Sequence, residues 1–193
     1  MIYVGSDTMD VVVNQELYFE HYMKHTYYVV LAWKEIQSTL IEEGLVNEDE
    51  FQKINQLILW HDHSKISGEE WLPYARRFYS NQGNEESVRQ EFKKAVTHHK
   101  RENIHHFESL KDYSGTDWRC YIVEMVCDYI AMGWEFGKYI FEYYEENKSQ
   151  IELPSRYQEY LEWILKVLRE SSIYSYLEEP MSQKRMTYLY FSE

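Results

Sequence analysis

Residues 48–65 read EDEFQKINQLILWHDHSK. Phe51, Ile54, Leu57 and Ile58 recur at the three- and four-residue spacing of one helical face, which predicts a helix from about Glu48 into His61. Its end delivers His61-Asp62-His63-Ser64-Lys65. Ser67-Gly68-Glu69-Glu70 follows as a capping-box pattern opening a short helix through Phe78. An adjacent His and Asp both reach one ion only if the helix end turns them inward. Imidazole nitrogen and carboxylate oxygen together suit first-row divalent metals.

The same periodicity extends in both directions. Upstream, Leu17, His21, Tyr28, Leu31, Ala32, Ile36 and Leu40 predict one long helix from about Asn14 to Glu43, stopped by Gly44. Downstream, a helix is expected from about Glu85 to His99 after an Asn81–Asn84 loop. A polar segment, Lys100–Ser114, follows with one helical turn near His105–Leu110. Ser114–Asp117 starts a long helix reaching about Tyr144, and Pro154 opens a last one to about Leu168. With only 7 Gly and 3 Pro in 193 residues, and 17% aromatics, few breakers interrupt these patterns. The expectation is an all-α single domain over 1–193, a bundle of about six to seven helices. Its motif-bearing core spans about 14–144, and a C-terminal helix and tail span 150–193. The tail from Pro180, with Met186–Phe191, is open to reading as a strand, a docked arm or an oligomer contact.

All eight histidines fall in four places: His21 and His25, His61 and His63, His98 and His99, His105 and His106. On the fourth helix, taking Val88 as zero, Phe92 lies at about 40° and His99 at about 20°, but His98 at about 280°. His99 is therefore the inward member of its pair and needs a polar partner there. Taken singly, each candidate has an ordinary reading: His25 as a core histidine, Asp128 as a solvated residue, His105 and His106 as a polar loop. The stripe Trp118, Tyr121, Ile122, Met125 and Tyr129 reads as core. The order of the polar residues along the chain favours a joint role as metal ligands.

The net charge of −13 disfavours general binding to nucleic acid, though bound cations can still attract a small phosphorylated molecule. Cys120 and Cys127, about 10 Å apart on one helix, are too distant for a disulfide and read as reduced core thiols. The N-terminal MIYVGSDTMD has neither the basic region nor the apolar run of a signal peptide, and no stretch approaches a membrane span. A cytoplasmic protein is expected.

The motifs resemble the HD-domain metal-dependent phosphohydrolase superfamily. The opening histidine is His25, the pair is His61-Asp62, and the closing aspartate is Asp128, within Glu124-Met125-Val126-Cys127-Asp128. More closely, residues 21–136 resemble an HD-like family of bacterial and phage proteins with HDxSK, PYxxxFY, HHxxxNxHH and EMxCD segments. Here these are His61–Lys65, Pro73–Tyr79, His98–His106 and Glu124–Asp128. The resemblance implies a helical bundle and one or two divalent transition metal ions (Mn, Fe, Co, Ni or Zn). The ligands implied are His25, His61, Asp62 and Asp128, with His99, His105 and His106 for a second ion. The GYP signature of the cyclic-dinucleotide branch is absent.

The function so implied is hydrolysis of a phosphomonoester or phosphodiester, with a nucleotide as the default small substrate, in a bacterial cytoplasm or that of a phage host. Asp62 and Lys65 are the catalytic candidates. Lys65, Arg76, Arg77, Lys100 and Arg101 are candidates for holding phosphate, and Asn103 for ordering the histidine loop beside substrate. Two alternatives stand beside this: a non-catalytic interaction protein stapled by metal, and an HD-type di-iron oxygenase. A homo-oligomer is compatible with each.

Overall fold

A computed structural model describes residues 6–179 and 181, with side chains from residue 15 onward. Every regular element among them is helical: α1 (Ser6–Glu42), α2 (Glu48–Leu59), a 3-10 turn (His63–Ile66), α3 (Trp71–Tyr79), α4 (Glu86–Glu102), α5 (Phe107–Leu110), α6 (Trp118–Phe136), α7 (Ile140–Asn147), α8 (Ser155–Glu170) and α9 (Tyr174–Leu177). The all-α expectation therefore holds, and the helices form a single domain. None of these helices is long and apolar enough to cross a membrane. Met186–Phe191 lies outside the described residues.

α6 is the axis. It is buried on nearly all sides, from Cys120 through Trp134, as a helix must be when apolar residues surround it. α1, α2 and α8 pack directly on it, while α3 bridges α1 and α4. α8 turns Tyr157, Leu161, Ile164 and Leu168 into the core at helical spacing, so the C-terminal helix shares one apolar core with the rest. Buried aromatic side chains place their polar tips on distant backbone carbonyls: Tyr160 donates to Leu45 O at 2.7 Å and Tyr157 to Tyr113 O at 2.7 Å. Cys120 and Cys127 are buried free thiols.

The local signals explain the boundaries, with two corrections beyond the earlier start of α1. α1 begins earlier than expected, at Ser6, and ends at Glu42, stopped as predicted by Gly44. That residue takes φ +69° while Leu45 N–H reaches back to Leu40 O at 2.9 Å, a left-handed C-terminal cap. The expected long helix from Trp118 to Tyr144 is instead two helices. Gly137 sits at φ +75°, and a Cβ on Gly133 would lie 3.0 Å from Lys138 O and from Tyr139 Cα. These glycines allow the chain to fold back tightly at that point.

The second correction concerns Ser67–Glu70. No capping box forms there. The Ser67 hydroxyl has no hydrogen-bond partner, and Glu70 is fully buried with its carboxylate turned to histidines of α4. A charged contact with two imidazoles outweighs a backbone cap. The reciprocal capping box lies at α2, where Asn47 and Glu50 satisfy each other's backbone N–H at 2.9 Å.

Candidate metal centre

α2 stops at Leu59, and three residues later the backbone turns left-handed. Asp62 has φ +56°, the sole positive φ at a non-glycine residue among those described. Successive residues of a helix diverge by about 100°, so His61 and Asp62 cannot share a direction while the helix continues. The left-handed residue, which aspartate tolerates better than most, brings His61 Nε2 to 3.6 Å from Asp62 Oδ2.

Four other segments converge on that point. α1 supplies His25, whose Nε2 lies 3.7 Å from Asp62 Oδ2 and 3.2 Å from Asp128 Oδ1. α6 supplies Asp128, whose Oδ1 is 3.7 Å from His61 Nε2. The last turn of α4 supplies His99, with Nε2 3.2 Å from Asp62 Oδ1. The loop before α5 supplies His105, whose Nε2 lies 3.5 Å from Asp62 Oδ1 and 3.9 Å from Asp128 Oδ2, and His106, whose Nε2 lies 2.8 Å from His99 Nε2. The two oxygens of Asp62 thus face two histidine sets: His25 and His61 on one side, His99 and His105 with His106 on the other. All seven expected ligands stand in one cluster. His98 lies beside it, as the helical wheel predicts, while His63 is exposed against Trp60.

A second ring surrounds the first. His61 Nδ1 and His105 Nδ1 meet one oxygen of Glu124, at 3.0 and 3.2 Å. His99 Nδ1 meets Glu70 at 2.9 Å, with Ser64 and Asn103 each at 3.1 Å. His25 Nδ1 approaches Glu135 at 3.7 Å. A carboxylate only accepts, so it favours the proton on Nδ1 and leaves Nε2 to point inward. Burial alone would raise the carboxyl of Glu124, but His105 and His61 outweigh it and hold it below the usual range. Burial is likewise outweighed at Asp62 by His61, Lys65 and His99, and at Glu135 by His25 and Lys24, which hold that group to about 2. His106 is lowered too, to about 2, by burial and then by His105, so its imidazole stays neutral.

The residues present fit a metal ion. His25 Nε2, His61 Nε2, His105 Nε2 and Asp62 Oδ1 are buried without a hydrogen-bond partner. Such orphans cost about 1–3 kcal/mol each and are rare unless something fills the space between them. Three of the candidate ligand triplets, His25-His61-Asp62, Asp62-His99-His106 and His105-His106-Asp128, place their ligand atoms within 4.8 Å of one another.

The cationic candidates divide. Lys65 Nζ lies 2.5 Å from Asp62 Oδ2, and Lys100 lines a pocket beside Asp128 and His106 while paired with Glu108. Arg76 pairs with Glu91, Arg77 holds Gly83 O and Asn84, and Arg101 pairs with Glu102. None of these arginines lines the pockets beside the cluster. Asn103 orders the histidine loop, donating to Ser64 Oγ at 2.7 Å and His99 O at 2.8 Å.

Sequence reading assigned Glu70 only to a helix cap and gave Glu124 and Glu135 no role. A signal was present for two of them. Glu124, Asp128 and Glu135, at i, i+4 and i+11, fall within about 40° on one face of a helix otherwise built of apolar residues.

The chain belongs to a family of unknown function, DUF5662, whose profile matches residues 14–178. No curated protein and no solved structure matches it.

Proposed function

We propose that this protein is a metal-dependent phosphohydrolase acting on a small phosphorylated substrate, with a nucleotide as the default. One observation carries the reading: three inward-facing, buried and unpartnered imidazole Nε2 atoms around two aspartates, most of the rings held from behind by carboxylates. The ordered pattern His25, His61-Asp62, Asp128, which resembles HD-domain phosphohydrolases, supports it. In this reading His25, His61, Asp62 and Asp128 hold one ion. His99, His105 and His106 would hold a second, which the other oxygen of Asp62 faces. A divalent ion bound there lowers the pKa of a coordinated water toward ~7 and offsets charge on phosphate oxygens.

The chain's own groups do the rest. Asp62 and Asp128 fix the charge at the centre. Glu70, Glu124 and Glu135 hold ring orientation. Lys65, whose ammonium lies at the edge of an aromatic pocket, meets a phosphate oxygen as a point charge. Asp128, at 11%, is more exposed than His25, His61, Asp62, His99 and His105, at 5% or less, and His106 beside it is half-buried, so substrate approaches from the side of Asp128 and His106.

The test is metal content by elemental analysis with a phosphomonoester and phosphodiester panel in Mn²⁺. Activity lost by several orders of magnitude in Asp62→Ala, with the helical signal retained, is the expected result. Bound metal with no turnover on any phosphoester, and a fold that collapses with stoichiometric chelator, favours a structural staple instead. Bound iron with oxygen-dependent turnover favours an oxygenase.

A further inference from the structure

Two cavities flank the cluster, of about 460 and 440 Å³. Each is large enough to enclose a small-molecule group. The first contains Asp128 and His106 in its wall, with rings from Phe107, Tyr129 and Tyr143. The second contains His25 and Lys65, with rings from Tyr22, Tyr74, Phe78 and Tyr79. Both are bounded by Met132 and Phe136, one turn apart on α6, which form a ridge between them. Their walls join beneath that ridge, where His25 of one lies 3.2 Å from Asp128 of the other. The cluster is therefore the floor of a two-sided groove.

The charges in the groove limit what it accepts. Each lysine in its walls is already paired: Lys65 with Asp62, Lys100 with Glu108 and Lys138 with Glu146. Neither arm offers an unpaired lysine for a chain of further phosphates. What both arms offer is aromatic surface, on which flat rings stack.

We propose that the two cavities are the arms of one substrate groove, and that its occupant is a phosphodiester carrying a ring-bearing group in each arm. The proposal rests on the phosphohydrolase reading and narrows it from phosphoesters to diesters. One water adds across a P–O bond: its oxygen joins phosphorus, one arm leaves as an alcohol or phenol after taking up a proton, and a monoester remains.

The experiment compares bis(4-nitrophenyl) phosphate with 4-nitrophenyl phosphate on Mn²⁺-loaded protein, by kcat/KM where turnover occurs and by calorimetric binding where it does not. The diester is expected to be favoured by about tenfold or more, equivalent to ~1.4 kcal/mol. Tyr143→Ala, in the first arm alone, is expected to erase that preference by weakening the diester more than the monoester. Phe78→Ala, in the second arm and 56% exposed, weakens both. Circular dichroism checks folding, and Tyr143→Leu replaces the alanine variant if helix is lost. Equal or better handling of the monoester, or a preference insensitive to Tyr143, overturns the two-armed groove while leaving the hydrolase reading intact. A diester that binds with the predicted preference but is never hydrolysed overturns the hydrolase reading instead. Failure of both ligands to bind overturns the groove.

Discussion

Glu124 is the residue whose replacement tests the centre most sharply, because a single one of its oxygens holds two imidazoles from two different segments. His61 follows α2 and His105 precedes α5, and both place Nδ1 within 3.2 Å of that atom. Glu124→Gln keeps an acceptor oxygen and removes the charge that makes both rings better ligands. Glu124→Ala removes the acceptor as well and frees both rings to turn. Outer carboxylates of this kind are worth roughly 10- to 100-fold in metal affinity, so the glutamine variant should lose about tenfold and the alanine variant nearer 100-fold. These losses correspond to ~1.4 and ~2.7 kcal/mol. The assay is competition for Zn²⁺ or Mn²⁺ against a chelating dye. Glu162→Gln serves as a control; that residue bonds Tyr144 on α7 and is remote from the histidines. An alanine variant that binds metal within twofold of the parent would refute the argument that Glu124 orients the ligands.

Other expectations follow from the same arrangement. Chelation should leave far-ultraviolet circular dichroism essentially unchanged while abolishing phosphoesterase activity, since the core around α6 is held by apolar contacts among several helices that need no ion. Replacing His99 and His106 together with alanine should lower the metal content measured by elemental analysis from two ions per chain to one; a parent protein that holds only one counts against the shared-aspartate arrangement. Gly133→Ala should destabilise by roughly 1–3 kcal/mol, because its new methyl meets Lys138 and Tyr139 backbone. That should appear as a melting temperature lower by roughly 2–4 °C for each kcal/mol.

The helices were legible because their apolar residues recur at one period: Phe51, Ile54, Leu57 and Ile58 on α2, or Val88, Phe92 and Ala95 on α4. The break at Gly137 was not, because Trp134 and Phe136 before it and Ile140 and Phe141 after it continue a helical pattern. Whether a glycine interrupts a helix there depends on what packs against Gly133. The histidine and aspartate positions could be picked from their order, and His99 over His98 from its angle on the helix. The glutamates could not be assigned roles in the same way. Glu70 occupies the spacing of a cap, and only the arrival of His98 and His99 from 28 and 29 residues downstream gives its carboxylate a better partner. Arg76, Arg77 and Arg101 illustrate the opposite limit: composition marks them as cations, and only the contacts made in the folded chain show that each is held elsewhere.

The sequence separation of the clustered residues has a consequence for folding speed. His25 and Asp128 touch across most of the chain, and His61, His99 and His105 come from three segments between them. No two neighbouring helices assemble the set by themselves, so the closure of long loops must come first. An ion captured there binds after the rate-limiting collapse, not during it. Its binding energy would then leave the refolding rate almost untouched and slow unfolding, lengthening the lifetime of the native chain.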